Sequence, residues 1–168
     1  MTTIKLCDKI QMIRGDTMKK IITFCGHANF HKAQEYEQQL IDILERETRD
    51  CTAEMYLGGY GNFDEFAYQC CLSLKHTHNN ISLIFVTPYI TESYQRNQLI
   101  QYAEKYDCIL YPEIEDKPLK YAINYRNRYM VDKADLVIAF VDHTWGGAYQ
   151  TYQYATRKKK RILNIGKL

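Results

Sequence analysis

The sequence has no cysteine pair at metal-binding or redox spacing and no phosphate-binding P-loop. None of its six cysteines belongs to a Cys-x-x-Cys pair, which argues against a zinc ribbon or a thioredoxin-like motif. No Gly-x-x-x-x-Gly-Lys-Ser/Thr stretch occurs, so a P-loop NTPase is not indicated. The first apolar run is not followed by Gly-x-Gly-x-x-Gly either, which argues against an ordinary NAD-dependent dehydrogenase.

Long apolar segments and a large net charge are also missing. No hydrophobic run approaches the roughly 20 residues of a membrane span, and nothing at the N-terminus is typical of a signal peptide. The formal net charge is +2 over 168 residues, and the one dense basic run, 157–161, fits a helix C-terminus, where cations are favoured. We therefore expect a cytoplasmic protein with no membrane partner, and nucleic acid is not an expected partner.

From Lys19 onward, short apolar runs alternate with longer segments of helical period. This alternation is typical of a parallel sheet that is covered by helices on both faces. The sequence therefore predicts an α/β fold, a Rossmann-like parallel sheet of about six strands with helices on both faces. Strands are predicted at 20–25, 53–57, 82–86, 108–111, 136–141 and 162–165, and helices over about 32–47, 63–75, 93–106, 121–133 and 148–158.

The domain organisation is predicted to be simple. Residues 1–18 form an N-terminal extension, and residues 19–168 form one nucleotide-binding domain, because no linker, repeat or low-complexity tract interrupts the pattern. Met18 stands directly before the first predicted strand. We hypothesise that it is the biological start.

Three glycine-bearing turns follow predicted strands. They contain Gly26, the run Gly58-Gly59-Tyr60-Gly61, and the pair Gly146-Gly147. Ligands of open α/β sheets bind beyond the carboxyl ends of the strands. There, glycine permits close backbone approach and a helix N-terminus offers unpaired N–H groups to an anion. The sequence therefore predicts a phosphate-bearing ligand, with further contacts from side chains near these turns: His27, Asn62, Thr144, Trp145 and Thr151.

Two segments resemble a known superfamily. The run 58–67, Gly-Gly-Tyr-Gly-Asn-Phe-Asp-Glu-Phe-Ala, is similar to a Gly-x-x-x-Gly-x-Asp-x-x-Ala turn, with its glycines shifted. A second pattern comprises an arginine, a methionine four residues later, Ala-Asp, an apolar strand and a Gly-Gly turn; it is matched by Arg126, Met130, Ala134-Asp135, 136–140 and Gly146-Gly147.

The chain from Lys19 to Lys167 thus resembles the SLOG superfamily, which groups the DNA-processing protein A domain with the LOG cytokinin-activating phosphoribohydrolases. The resemblance implies a stand-alone, single-domain member that binds nucleotides. It also favours Arg126 over Arg128 as the arginine that grips phosphate or carboxylate through its guanidinium fork.

The choice between enzyme and binder depends on carboxylates. A LOG-like turn carries a glutamate that assists N-glycosidic cleavage, and this chain has Gln153 at that position; an amide cannot serve as the acid or base. Asp64 and Glu65 are fallback catalytic residues, although acidic residues also favour the first turn of a helix. We therefore predict a binder, and a nucleotide N-glycosidase, of phosphoribohydrolase or deoxyribosyltransferase type, is the alternative.

The resemblance also implies a ligand class. SLOG-like domains in bacterial immunity recognise nucleotide signals such as cyclic ADP-ribose isomers, so a lone domain is expected to act as a sensor or sponge in bacterial or phage immune signalling. No cofactor and no metal site are predicted, because His76-Thr77-His78 has no further ligand at suitable spacing. Trp145, the only tryptophan, fits either base stacking or a subunit interface. A homo-oligomer is expected.

Overall fold

The computed structural model describes residues 18–167. The predicted N-terminal extension therefore lies, apart from Met18, outside the described residues. The hypothesis that Met18 is the biological start stays a prediction.

Strands and helices follow one another in the order that the sequence predicts. The strands are β1 (Lys19–Gly26), β2 (Thr52–Leu57), β3 (Ile81–Val86), β4 (Cys108–Leu110), β5 (Leu136–Phe140) and β6 (Arg161–Asn164). The helices are α1 (Ala33–Thr48), α2 (Asn62–Thr77), α3 (Glu92–Tyr94), α4 (Ile100–Lys105), α5 (Ala122–Lys133) and α6 (Gly146–Arg157).

One predicted helix is divided. The segment predicted as a single helix over 93–106 consists of α3 and α4 joined by a π-helical turn, Gln95–Leu99. The Gln95 side chain donates a hydrogen bond to the Ile90 carbonyl at 2.6 Å, and Leu99 is buried. A π-turn accommodates one extra residue in the helix, and the periodicity of a short segment does not reveal it.

The six strands form one parallel sheet in the order β4-β3-β2-β1-β5-β6. The predicted Rossmann-like α/β fold is confirmed. From β1, the chain first builds the sheet outward through β2, β3 and β4, and then returns to place β5 on the other side of β1. The carboxyl ends of β1 and β5 therefore flank the topological switch point, where open α/β sheets bind their ligands.

Strand β1 shows how the sheet is buried on both faces. Ile22 and Phe24 belong to the apolar cluster that contains the inward faces of α1 and α2. Cys25 points the other way and packs with Val131 of α5 and Ala155 of α6. Burial raises the pKa of the Cys25 thiol to about 12, so this cysteine behaves as a small apolar core residue.

A buried carboxylate of α1 forms hydrogen bonds to two strands of the sheet. Glu47 accepts a hydrogen bond from Lys20 Nζ of β1 at 2.7 Å and two from the Arg161 guanidinium of β6 at 2.6 and 2.7 Å. The hydrogen bonds from Arg161, assisted by Lys20, lower the pKa of Glu47 from its ordinary value of 4.5 to about 2.

This pKa shift predicts a pH-dependent loss of stability in Glu47→Gln. The pKa of Glu47 is lower in the folded protein than in the unfolded chain. The stabilisation that its carboxylate provides is therefore complete above about pH 4.5 and is lost as the pH falls towards 2. We expect Glu47→Gln to lower the free energy of unfolding by about 2–3 kcal/mol at pH 7. Urea unfolding should show this difference shrinking below pH 4.5.

The matched control is Glu92→Gln, which removes an exposed ion pair between Glu92 of α3 and Arg96 of the adjoining π-helical turn. It should cost no more than about 0.5 kcal/mol. A Glu47→Gln difference that is the same at pH 7 and pH 3.5 would contradict the role assigned to this carboxylate.

Candidate functional site

A cavity of about 470 Å³ opens at the topological switch point. Its walls come from residues 26–32, which follow β1, and from most of 142–148, which follow β5. The parallel pairing of Gly26 with Phe140 sets these two loops side by side. One face of α5, Tyr60 of the second glycine turn and Asp64 of α2 also line it.

The N-terminus of α6 forms one wall of the cavity. Gly146, Gly147 and Ala148 line it, and the residue before the helix, Trp145, offers no capping side-chain hydrogen bond. Gly146 has a φ of +87°, and a Cβ atom at Gly146 or Gly147 would meet no atom within 4 Å. An uncapped helix start with open space above it is suited to an anion.

Arg126 brings a buried guanidinium to the same cavity. Its side chain is 1% exposed, and its Nη1 donates to the carbonyls of Gly58 and Val86 at 2.7 and 2.8 Å. Among the buried side-chain nitrogen and oxygen atoms of residues 18–167, only Arg126 Nε has no hydrogen-bond partner. A buried donor without a partner costs free energy. Arg126 is a lining residue of the cavity, so an acceptor bound there within reach of Nε would satisfy it.

Asp64 is an acidic residue whose charge interacts with this guanidinium. Its Oδ2 accepts a hydrogen bond from the Tyr60 backbone N–H at 2.9 Å. Removal from solvent raises the pKa of Asp64 to about 6, although the charge of Arg126 acts in the opposite direction. The carboxyl group therefore keeps its proton to a higher pH than a solvent-exposed aspartate does.

Two stacked imidazoles and a tilted indole lie at the mouth of the cavity. The ring centroids of His27 and His143 lie 3.5 Å apart at an interplanar angle of 14°, and the indole of Trp145 lies 4.1 Å from His143 at an angle of 37°. His27 is buried, whereas Trp145 is 70% exposed. An exposed indole at the end of such a stack offers a free face to a further planar group.

Asp142 lies beside the two imidazoles. Its Oδ1 is 2.7 Å from His143 Nδ1 and 3.4 Å from His27 Nε2. The Asp142 backbone N–H donates to His27 Nε2 at 3.3 Å, which assigns the acceptor role to that nitrogen. Burial, together with His143, lowers the pKa of His27, so the neutral imidazole is favoured.

The structure divides the predicted site residues into two groups. Those that line the cavity are Gly26, His27, Asp64, Arg126, Trp145, Gly146, Gly147 and Thr151. Those outside its lining are Gly58, Gly59, Gly61, Asn62, Thr144 and Glu65.

The glycines of the second turn are required by packing. The Gly58 carbonyl accepts from Arg126. A Cβ at Gly59 would lie 2.7 Å from the Phe85 ring, and one at Gly61 would lie 2.7 Å from Ala28 Cα. This turn therefore holds Arg126 and places Tyr60 and Asp64, and its glycines support the cavity from outside.

The two fallback carboxylates have different surroundings. Glu65 is exposed, accepts from Gln69 at 2.8 Å, and lies 3.5 Å from the Lys105 ammonium of α4. Asp64, one residue earlier, lines the cavity. Successive helical residues point about 100° apart, so only one of the pair can face the site.

Arg128 and Gln153, which the sequence resemblance brought into consideration, lie outside the lining of the main cavity. Arg128 and Gln153 line a separate pocket of about 200 Å³ between α5 and α6, and Arg128 stacks on Tyr125 and Tyr154. The amide at Gln153 therefore does not decide what chemistry the main cavity can perform.

Sequence reasoning missed several residues that line the cavity. Asp142 and His143 follow β5 directly, and Lys32 closes the loop after β1. The available signal was their position just after a predicted strand. Strand order, which sequence periodicity does not reveal, was needed to bring them next to His27.

No protein-family model and no curated protein sequence matches the chain. Solved structures share its fold over 85% of its length. They include DNA processing protein A from Helicobacter pylori, whose structure was described for its single-stranded DNA binding mode (19% identity, TM-score 0.58). DNA processing protein A from Streptococcus pneumoniae (19%, 0.59) and TM1055, a structural-genomics target (12%, 0.53), are also similar.

The chain spans 63% and 49% of the two DNA processing proteins and 72% of TM1055. Fold and cavity define a Rossmann-like α/β protein with a cavity at its topological switch point. More particularly, the fold is the one that DNA processing protein A and TM1055 share with this chain. Such a fold is compatible with nucleotide binding. No helix between residues 18 and 167 has the length and apolar character needed to cross a lipid bilayer.

Proposed function

We propose that the protein binds a nucleotide or nucleotide-derived anion in the cavity between the ends of β1 and β5. The observation that carries the proposal is the meeting of a buried guanidinium, whose Nε has no partner, with the uncapped N-terminus of α6 in one cavity. Both groups favour an anion. The cavity volume of about 470 Å³ lies within the range of small-molecule sites.

The cavity lining supports a definite orientation of such a ligand. Phosphate is expected against Gly146, Gly147 and Arg126, where the positive groups lie. The base is expected on the exposed face of Trp145, since indole rings stack well on planar groups. Asp64 offers a carboxylate oxygen to ribose hydroxyls, as acidic residues do in other Rossmann-like sites.

The finer proposal is that the ligand is a signal such as a cyclic ADP-ribose isomer. The protein would then act as a sensor or sponge in bacterial or phage immunity. The resemblance of the sequence to the SLOG superfamily supports this ligand class, and a homo-oligomer is proposed with it.

A second candidate, an N-glycosidase, is favoured by one observation. Asp64 is a carboxyl group in the cavity whose pKa is raised to about 6, and raised carboxyl pKa values suit general acids. Glu65, the other fallback residue, faces Lys105 outside the cavity.

Release of intact ligand distinguishes the two functions. We expect AMP, NAD and cyclic ADP-ribose isomers to be recovered unchanged, each bound at no more than one equivalent, when the protein is incubated with them, denatured, and the small molecules separated by chromatography. Asp64→Asn tests the catalytic alternative, and Glu65→Gln is the matched control outside the cavity. Free base that accumulates with wild type and Glu65→Gln but not with Asp64→Asn would establish the glycosidase instead.

Single-stranded DNA is a competitor to include in the same assays, because the Helicobacter pylori protein binds it. We do not expect it as the preferred ligand here. The basic run 157–161 begins where α6 ends, and the 12 residues of that helix separate it from Gly146 by about 18 Å. Quenching of Trp145 by an oligonucleotide at lower concentration than by any mononucleotide would reverse this preference.

A further inference from the structure

We propose that His27, Asp142 and His143 bind a divalent transition-metal ion, of which Zn²⁺ is the representative, at the mouth of the cavity. The two imidazoles and the carboxylate each offer one ligand atom, and these atoms all lie within 4.8 Å of one another. The sequence predicted no metal site. The proposal goes beyond nucleotide binding and stands without it.

One of the two distances to Asp142 already matches what a small metal ion requires, and the other needs an adjustment. Metal–ligand bonds of about 2.1 Å in a tetrahedral site place neighbouring ligand atoms about 3.4 Å apart. The distance from His27 Nε2 to Asp142 Oδ1 is already 3.4 Å, and a bound metal would replace the hydrogen bond that this nitrogen accepts from the Asp142 backbone N–H. The distance from His143 Nδ1 to Asp142 Oδ1 is 2.7 Å, so this pair has to widen by about 0.7 Å.

His143 is the ligand that can make this adjustment. A metal ion lies in the plane of each imidazole that binds it, and the two rings are now stacked face to face. One ring must therefore turn. The His143 side chain is 30% exposed and lies in the loop after β5, whereas the His27 side chain is 10% exposed and is held at the end of β1.

The donor set selects the class of ion. Imidazole nitrogen suits zinc, copper, iron and nickel, whereas magnesium and calcium prefer sites made only of oxygen. Three protein ligands leave a fourth position open in a tetrahedral site, and here it would face the cavity. Lys32, whose charge acts on Asp142, opposes a cation, so we expect affinity in the micromolar range.

Calorimetry with zinc chloride tests the proposal on the full chain after chelator treatment. We expect one equivalent to bind, and affinity to fall about tenfold or more in His143→Ala and in Asp142→Asn, since even residues that only support metal ligands commonly cost that much. His76→Ala/His78→Ala is the matched control, because it removes a histidine pair outside the cluster, and it should bind as wild type does.

Two further readouts keep the test decisive. The visible spectrum of bound Co²⁺ should lack the charge-transfer band of thiolate ligands, which excludes the cysteines. Circular dichroism shows whether each variant is folded. If His27→Ala misfolds, zinc binding by His143→Ala decides the test, because the His143 side chain is partly exposed. Unchanged binding in the cluster variants, loss in the His76/His78 variant, or no binding would overturn the proposal. Since the probe is the metal alone, nucleotide binding can fail independently.

Discussion

Gly147→Glu is expected to abolish binding of an anionic nucleotide while the protein stays fully folded. Gly147 is in the first turn of α6, and a Cβ there meets no atom within 4 Å. A carboxylate at a helix N-terminus stabilises the helix, but here it would occupy the place expected for phosphate. We expect a loss of about 3 kcal/mol or more, roughly a hundredfold, because like charges held together cost several kcal/mol.

Gly147→Ala is the control that separates charge and bulk from loss of glycine. Its affinity for the nucleotide should lie within about twofold of the wild-type affinity. This corresponds to a difference of less than about 0.5 kcal/mol in binding free energy. Titration of Trp145 fluorescence with AMP or a cyclic ADP-ribose isomer measures affinity, and thermal unfolding checks the fold. Wild-type affinity in folded Gly147→Glu would place the anion site elsewhere.

Gly59 does not provide an equivalent test, although the sequence places it in a similar turn. Its φ is +68°, and a Cβ would lie 2.7 Å from the Phe85 ring. Any larger side chain there is strained, so a loss of binding would follow from misfolding.

Arg126→Ala is expected to weaken both ligand binding and the fold. Binding should fall by about 1.5–3 kcal/mol, the usual contribution of a hydrogen bond to a charged group. The free energy of unfolding should fall by about 3 kcal/mol, since two buried carbonyls lose their donor and a cavity opens. Urea unfolding measures the second effect, and calorimetry on protein that remains folded measures the first.

Two variants control this prediction. Arg128→Ala alters a surface arginine outside the cavity and should change affinity little. Arg126→Lys keeps the charge but lacks Nε and the planar guanidinium, whose Nη1 donates to both carbonyls, so it should restore only part of the affinity. An Arg128→Ala variant that binds more weakly than Arg126→Ala would refute the assignment of the guanidinium site.

Neighbouring residues show where sequence reasoning reaches its limit. Asp64 and Glu65 are chemically alike, yet one faces the cavity and the other faces Lys105. Arg126 and Arg128 are also alike, and only Arg126 is buried beneath the glycine turns. Here the resemblance to the SLOG pattern gave information that helical periodicity alone did not.

The parallel α/β fold and the order of its elements were determined by the sequence itself, because strand and helix periodicities and glycine turns are local properties of the chain. The ligand cavity was decided by tertiary structure. Placing β5 beside β1 brings Asp142 and His143 to His27, residues more than a hundred positions apart. Packing against Phe85 and Ala28, rather than ligand contact, explains Gly59 and Gly61. Such contacts depend on strand order and side-chain direction, which arise only when distant segments pack together.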